Sequence, residues 1–237
     1  DIKSAELIKH ASNSFLATKI SFINAISNIC DMVGADVAEV AKGIGLDTRI
    51  GAKFLNAGVG FGGFCFPKDL AAFIRISEKL GYDFGILKEV QKVNDDQKRI
   101  LLKKIEGLLW NLRGKTIGIL GLAFKPDTDD IRYAPSLDII SALKKEGARI
   151  KVYDPEAMPK TQKILKDKEI EFCKDAYGVS KNSDCLVVMT EWNEFKELDF
   201  KRIKRLMRQP AIVDGRNIYD PREMKRLGFR YAGMGRR

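Results

Sequence analysis

The stretch GVGFGGFCFPKD, residues 58–69, places one cysteine behind four glycines and shortly before Pro-Lys-Asp. Glycines at this density let the backbone approach a ligand closely or adopt positive φ, and the proline suits the first turn of a helix. Cys65 is therefore predicted at a loop-to-helix junction, where the helix dipole and Lys68 would both favour the nucleophilic thiolate. Cys65 is a candidate nucleophile, with a small buried apolar cysteine as the simpler alternative.

Three further polar residues are candidates for chemistry at this cysteine. Asp69 follows Cys65 by one helical turn and could act as a general base, or simply be an acid favoured by the helix dipole. Lys9 and Asn13 are also four residues apart, so they project from one face of the first predicted helix. If that face meets the cysteine loop, an ammonium and an amide could stabilise an oxyanion or hold a water near the thiolate.

Composition narrows the class of protein. The net charge of +10 fits an anionic ligand or a nucleic acid, although solvated lysines on helix faces explain it equally well. His10 is the only histidine, and the cysteines form no CxxC pair, so we expect no metal site and no disulfide framework. No apolar run approaches the roughly 20 residues of a membrane span and no signal peptide opens the chain, which favours a cytoplasmic protein.

Hydrophobic periodicity divides the chain near residue 112. Before it, apolar residues at helical spacing predict four helices, at about 8–33, 36–45, 67–80 and 87–112. After it, β-rich runs alternate with helical segments, which predicts a parallel, doubly wound sheet. The predicted strands are TIGILGL, RIKVYD, EIEF, CLVVMT, AIVDG and RYAGM. We therefore predict an all-helical domain over 1–112 and an α/β domain over 113–237.

The first strand of the second domain does not carry a dinucleotide-binding fingerprint. GILGLAFKP lacks the G-x-G-x-x-G pattern, and no helix can start before Pro135. A ligand can still bind at the carboxyl ends of such strands, where Lys125, Arg132 and Arg216 are predicted in loops. Three cations at one sheet edge suit a diphosphate, with solvated loop charge as the alternative.

Five motifs together identify a resemblance. They are AELIKHASNSFLATKISFIN, RIGAKFLNAGVGFGGFCFPKDL, ILGLAFKPDTDDIR, VYDP and VDGRN. Their order and spacing resemble the UDP-glucose 6-dehydrogenase family of nucleotide-sugar dehydrogenases. That family has an NAD-binding Rossmann domain, a helical central domain and a Rossmann-like domain that binds the UDP portion of the substrate. The sequence resembles the last two, which implies an NAD domain upstream of Asp1 and no activity for this part alone.

The resemblance implies a four-electron, NAD-dependent oxidation of UDP-glucose to UDP-glucuronate. Cys65 would form a thiohemiacetal and then a thioester, which water hydrolyses. Lys9 and Asn13 would stabilise the oxyanion and position water, and Asp69 would be the acid-base aspartate. NAD would be held mainly by the upstream domain, with Arg132 near it.

The resemblance also implies how the substrate and a second subunit bind. The implied substrate-binding residues are Arg49, Phe54, Leu55, Gly58, Phe61, Gly62, Phe124, Lys125 and Arg216. Arg49 would reach into the neighbouring subunit's site. The long helix after Gly85 resembles the helix that connects the domains, on which two subunits would pair as a homodimer.

One departure and three alternatives remain. Phe64 stands where many family members have serine. Its ring would crowd the loop before the cysteine or exclude water from it. GDP-mannose or another nucleotide sugar is an alternative substrate, and a non-catalytic nucleotide-sugar-binding dimer module is an alternative function. A nucleic-acid-binding protein is disfavoured because the chain lacks interleaved aromatics and a recognisable nucleic-acid motif.

Overall fold

A region of four helices opens the chain. The computed structural model describes residues 1–165 and 169–236. The helices are α1 Ile2–Val33, α2 Val37–Gly45, α3 Cys65–Lys79 and α4 Gly85–Leu109. The predicted order is confirmed, but α3 begins at Cys65, two residues earlier than expected. The boundary residues are those the sequence indicates: Gly34 ends α1 with φ 77°, and the Asp36 carboxylate caps α2 by accepting from Ala38 N.

A six-stranded parallel sheet follows the helical region. Its strands are β1 Thr116–Leu120, β2 Arg149–Tyr153, β3 Ile170–Phe172, β4 Cys185–Val188, β5 Ala211–Asp214 and β6 Arg230–Gly233. The order in the sheet is β3-β2-β1-β4-β5-β6, and every pair is parallel. This order confirms the Rossmann-like, doubly wound prediction, in which the carboxyl ends of all strands meet at one edge.

Helices cover both faces of the sheet. They are α5 Pro135–Lys145, α6 Met158–Leu165, α7 Ala176–Ser180, α8 Asn193–Lys196, α9 Phe200–Leu206 and α10 Pro221–Arg226. Successive residues of β4 show the two faces: Cys185 and Val187 pack in one core cluster, whereas Leu186 and Val188 pack in the other. Because β4 is buried on both sides, its sequence is a continuous apolar run.

Helix α4 joins the helical region to the sheet. Near its start, Leu87 and Val90 pack with residues of α1 and α3. Further along, Leu101 and Ile105 pack in the same core cluster as β1 and β4. One helix thus contributes to the cores of both regions, and the domain division at residue 112 remains a prediction.

Helix α1 carries a row of exposed apolar side chains. Ile8, Phe15, Phe22 and Ile29 recur every seven residues and are between 53% and 65% exposed. A seven-residue repeat keeps these side chains on one side of the helix, as in the seam between paired helices. The apolar residues that the periodicity marked on α4, by contrast, are largely buried within the chain.

Three further features bear on the class of protein. Within residues 1–165 and 169–236, no helix is long and apolar enough to cross a membrane. The same ranges contain no group of three or more His, Cys, Asp or Glu side chains placed to hold a metal ion. All four cysteines are free, and only Cys65 is exposed.

Candidate active site

Cys65 is the first residue of α3, and it is exposed. Phe64 holds the N-cap position and makes no side-chain hydrogen bond to the helix. The first-turn N–H groups are therefore not taken up by a capping side chain, and the positive end of the helix dipole lies beside the thiol. The predicted loop-to-helix position of Cys65 is confirmed.

Asp69 lies one turn further along α3 and is buried at 1% exposure. Asn13 Nδ2 donates to its Oδ2 at 2.6 Å, and Lys68 Nζ lies 3.4 Å from its Oδ1. Burial alone would raise the pKa of Asp69. The hydrogen bonds from Asn13 and Lys68, with the charges of Lys68 and Lys9, outweigh burial and lower that pKa below its ordinary value. Asp69 is thus a carboxylate at neutral pH.

The contact between α1 and α3 brings the predicted polar residues together. Asn13 bonds Asp69 directly, and Lys9, one turn earlier on α1, acts on Asp69 through its charge. The sequence made the roles of Lys9 and Asn13 conditional on their face meeting the cysteine segment. The structure satisfies that condition, since Asp69 belongs to the same helix as Cys65. Their catalytic roles remain predictions.

Two cations lie against the ring of Phe64. Lys68 Nζ is 4.9 Å and the Arg132 guanidinium 4.5 Å from its centroid. Arg132 also pairs with Asp130 at 2.7 Å, and the hydrogen bond to that carboxylate raises the pKa of Arg132. Phe64 is 39% exposed, and Cys65 beside it is exposed as well, so the phenyl ring does not bury the thiol. Lys68 contacts Asp69 and Phe64, and its expected effect on the thiol remains a prediction.

A cavity of about 470 Å³ opens next to this segment. Phe66, the residue after Cys65, forms part of its wall. The predicted substrate-binding residues in the wall are Phe54, Phe61, Gly62, Phe124, Lys125 and Arg216. Other lining residues, which the sequence analysis did not select, include Lys53, Asn56 and Glu191. Aromatic walls with three cations, Lys53, Lys125 and Arg216, suit a ligand that has both a ring and a diphosphate.

Arg216 also ties the walls of the cavity to one another. Its Nε donates to Met189 O at 2.8 Å, Nη1 to Gly60 O at 3.1 Å and Nη2 to Phe124 O at 3.2 Å. Nε lies 3.3 Å from Glu191 Oε2 as well. Three of the five guanidinium N–H bonds are engaged in this way, so Arg216 holds the site together as well as facing it.

Four predicted residues lie outside the cavity wall. Leu55 is buried in the core beneath α2, at 3% exposure. Gly58 packs its backbone against Gly215, where an added Cβ would lie 2.8 Å from a carbonyl oxygen. Arg49 is 87% exposed and pairs with Asp47. Arg132 lies on the Cys65 side, so the expected cluster of three cations is split and only Lys125 and Arg216 share the cavity.

Three amide side chains that hydrogen-bond to the glycine loop are not among the residues predicted from the sequence: Asn24, Asn94 and Gln97. They lie on helices far from the loop in sequence, and no local pattern marks them. Glu191 was also missed, although a polar residue three positions after β4 belongs to the carboxyl edge of the sheet, where ligands bind. That position is the one sequence signal that could have identified it.

Comparisons with known proteins match both regions of the chain to one family. The UDP-glucose/GDP-mannose dehydrogenase family, central domain, matches residues 3–96, and the UDP binding domain of the same family matches residues 118–221. The chain is 48% identical over 236 residues to UDP-glucose 6-dehydrogenase TuaD of Bacillus subtilis, covering 100% of this chain and 51% of the relative. It is 46% identical to UDP-glucose 6-dehydrogenase of Rhizobium meliloti, covering 99% of this chain and 53% of the relative.

Solved structures give the same result. A UDP-glucose dehydrogenase from the archaeon Pyrobaculum islandicum superposes with a TM-score of 0.89 at 38% identity, over 99% of this chain and 51% of that one. An NDP-N-acetyl-D-galactosaminuronic acid dehydrogenase from Methanosarcina mazei gives 0.87 at 29% identity, over 98% and 51%. The chain spans about half the length of the curated relatives it matches. It belongs to the UDP-glucose/GDP-mannose dehydrogenase family, of which it contains the central and UDP-binding domains.

Proposed function

We propose that this chain is the substrate-binding and covalent part of a UDP-glucose 6-dehydrogenase, which oxidises UDP-glucose to UDP-glucuronate with NAD⁺. The observation that carries the proposal is the exposed Cys65 at the start of α3, one turn from the ionised Asp69 and beside the cavity. The relatives named UDP-glucose 6-dehydrogenase support the substrate. The domain division, at residue 112, is part of the same proposal.

The proposed covalent steps use Cys65. Its thiolate adds to the C6 aldehyde and forms a thiohemiacetal, whose oxidation gives a thioester; water then releases the carboxylate and regenerates the thiol. When bound, NAD⁺ would supply the hydride acceptor for two oxidations, of the C6 alcohol to the aldehyde and of the thiohemiacetal to the thioester. The Lys9 ammonium and Asn13 amide would stabilise the C6 oxyanion. Asp69 orients Asn13 and is the carboxylate available to take a proton from the attacking water.

The proposed binding site is the 470 Å³ cavity. Lys125 and the two unengaged N–H bonds of Arg216 would contact the diphosphate, and Phe54 and Phe61 would pack against the rings of the ligand. Gly62 and Phe124 also line the cavity. Arg49, exposed and outside this cavity, is proposed to act in the site of a second subunit.

The residues of this chain's sheet do not fit NAD. Dinucleotide-binding sheets keep a carboxylate near the end of the second strand for the ribose hydroxyls. Asp154 occupies that place, but it accepts from the backbone N–H groups of Leu122, Ala123, Glu156 and Ala157 and from Trp192 Nε1. With the fingerprint also missing, we assign NAD to residues outside this chain, with Arg132 as the proposed neighbour of the cofactor.

We propose that the protein pairs as a homodimer through α1 rather than through α4. The seven-residue repeat of exposed apolar side chains runs along α1, from Ile8 to Ile29. Helix α4, which the sequence analysis assigned to pairing, uses Leu101 and Ile105 in the core of its own chain. We therefore assign the dimer contact to α1, the helix that also carries Lys9 and Asn13.

Isothermal titration calorimetry of UDP-glucose, GDP-mannose and UMP tests the substrate. We expect UDP-glucose to bind most tightly, and Lys125→Ala to weaken it by about 10- to 100-fold, as for a lost charge-assisted hydrogen bond. Lys163→Ala, on exposed α6, is the matched control. Tighter binding of GDP-mannose would favour the GDP-mannose alternative, which the family description also covers. Equal effects of the two lysine variants would contradict the cavity assignment.

A further inference from the structure

Amide side chains hold both ends of the glycine loop over residues 58–61, called here the clamped loop. Gly58 N donates to Asn24 Oδ1 at 2.8 Å, and Gly58 O accepts from Gln97 Nε2 at 3.0 Å. Phe61 N donates to Asn94 Oδ1 at 2.8 Å, and Phe61 O accepts from Asn94 Nδ2 at 3.1 Å. At each end, the N–H and the C=O of one residue are both taken up by amide side chains.

Asn94 imitates a neighbouring β-strand. A carboxamide presents one donor and one acceptor side by side, so it can bond the N–H and C=O of a single residue, which neither a carboxylate nor an ammonium can do. The approach is close: a Cβ on Gly60 would lie 2.7 Å from Asn94 Oδ1, and Gly60 has φ +103°. The glycine at position 60, the second of the four in this stretch, is thus explained by a protein side chain, not by a ligand.

These amides are costly to bury. Asn24 and Gln97 are both 0% exposed. Asn24 Nδ2 and Gln97 Oε1 are buried and have no hydrogen-bond partner among residues 1–165 and 169–236. An apolar side chain would avoid this desolvation penalty. Apolar residues would therefore stabilise the helix packing more than these two amides do. Both amides, however, form hydrogen bonds with the clamped loop.

The clamped loop connects the parts of the proposed site. Gly60 and Phe61 line the cavity, Gly60 O accepts from Arg216 Nη1, and the chain continues within a few residues to Cys65. Val59 N donates to Gly215 O at 2.8 Å, which fastens the loop to the end of β5. A displacement of the clamped loop would therefore move the cavity wall and the cysteine segment together.

We propose that Asn24, Asn94 and Gln97 are positioning residues for the sugar nucleotide. They hold the clamped loop so that the Phe61 side of the cavity and Cys65 keep their spacing when the ligand enters. This role deepens the proposed function and depends on it. It acts through the loop backbone, and none of the three amides needs to touch the ligand.

The test uses Asn94→Asp, which keeps the shape and the acceptor but removes the donor to Phe61 O. Asn94→Ala, a neutral variant that removes both bonds, covers the case in which the new carboxylate prevents folding. Asn28→Asp is the matched control, because it introduces the same charge on α1, and within residues 1–165 and 169–236 no hydrogen bond joins Asn28 to the clamped loop. Amide hydrogen exchange without ligand and calorimetry with UDP-glucose are measured on each protein.

We expect exchange to quicken at residues 58–63 in both Asn94 variants and to be unchanged elsewhere, which a general loss of stability would not produce. UDP-glucose affinity should fall by about 10- to 100-fold in both, and by less than about twofold in Asn28→Asp. Wild-type affinity in a folded variant whose loop exchanges quickly would overturn the positioning role alone. Failure of the wild-type chain to bind any nucleotide sugar would overturn the proposed function and this role with it.

Discussion

Individual cysteines differ sharply in environment. Burial raises the pKa of Cys173 to about 11 and that of Cys185 to about 12. The pKa of Cys30 is raised too, by burial first and then by the charges of Asp31 and Asp36. Cys65 alone is exposed, at the positive end of α3. Thiolate chemistry is thereby directed to one of the four positions.

We therefore expect iodoacetamide at pH 8 to label Cys65 selectively in the folded chain. Peptide mass spectrometry over a time course would measure the rate at each cysteine, and UDP-glucose should slow the reaction at Cys65. Unfolding in urea before labelling provides the control, since all four thiols should then react. Comparable labelling of Cys30 or Cys173 in the folded chain would contradict the environments described above.

The pairing of Asn13 with Asp69 predicts a pH-dependent stability. Asn13→Ala removes a partly buried hydrogen bond to a charged group, so we expect a loss of about 1.5–3 kcal/mol at pH 7. Because the native pKa of Asp69 is lowered, its stabilisation is complete above the ordinary carboxyl pKa of about 3.9 and is lost as pH falls through the native value. The difference between variant and wild type should thus shrink in acid.

Urea unfolding at a series of pH values measures that difference. Ser12→Ala, the exposed neighbour on α1, should show little change at any pH. A deficit of Asn13→Ala that stays constant or grows as the pH falls would show that the Asp69 carboxylate is not its source.

Helix α1 has two sides with different contacts: one packs against its own chain, and the other is proposed to contact a second subunit. Its polar positions Lys9, Asn13 and Asn24 face the α3 segment and the clamped loop. Its exposed apolar row, at Ile8, Phe15, Phe22 and Ile29, faces away from the chain's core. A dimer on this row would place the side of the helix that carries Lys9 and Asn13 next to a subunit interface.

We expect the wild-type chain to be a dimer and Phe22→Glu to be a monomer, because a charge in an apolar seam opposes pairing. Light scattering coupled to size exclusion measures the mass directly. Ile164→Glu, on α6 and 62% exposed, is the control and should leave the dimer intact. A wild-type monomer, or a Phe22→Glu dimer of unchanged strength, would exclude α1 as the seam.

At the scale of the whole molecule, Arg216 links the two regions. Its side chain is 14% exposed and bonds Gly60 O of the helical region as well as Met189 O and Phe124 O of the sheet region. The clamped loop is thereby fixed to the carboxyl edge of the sheet. The cavity exists only while the two regions keep this arrangement.

Arg216→Lys tests the link while keeping the charge. A lysine ammonium cannot reproduce the planar guanidinium that bonds three carbonyl oxygens. We therefore expect a loss of roughly 2–3 kcal/mol in unfolding free energy and weaker UDP-glucose binding. Urea unfolding and calorimetry provide the two values, with the exposed Arg222→Lys as control. Wild-type values for both quantities would show that the three carbonyl contacts contribute little.

Local patterns predicted much of the fold. The periods of helix and strand depend only on nearby residues, so the four helices, the six strands and the change of architecture were all readable, and the parallel, doubly wound sheet followed from their alternation. The sequence predicts that α3 begins at Pro67, two residues after its observed start at Cys65. Which helix pairs with a second subunit stays a prediction; the fold shows that Leu101 and Ile105 of α4 pack in the core and that α1 leaves an apolar row exposed, and neither fact can be read from local periodicity.

The order and type of the elements and the one-turn spacing of Cys65 and Asp69 follow from local residues, because covalent spacing sets both. Tertiary packing determines which distant groups meet: Asn13 with Asp69, Gln97 with Gly58, and Arg216 with Gly60. It also separated Arg132 from the cavity that Lys125 and Arg216 share. Such contacts join residues tens of positions apart, and their geometry depends on how whole helices pack and where loops run, which no local pattern encodes.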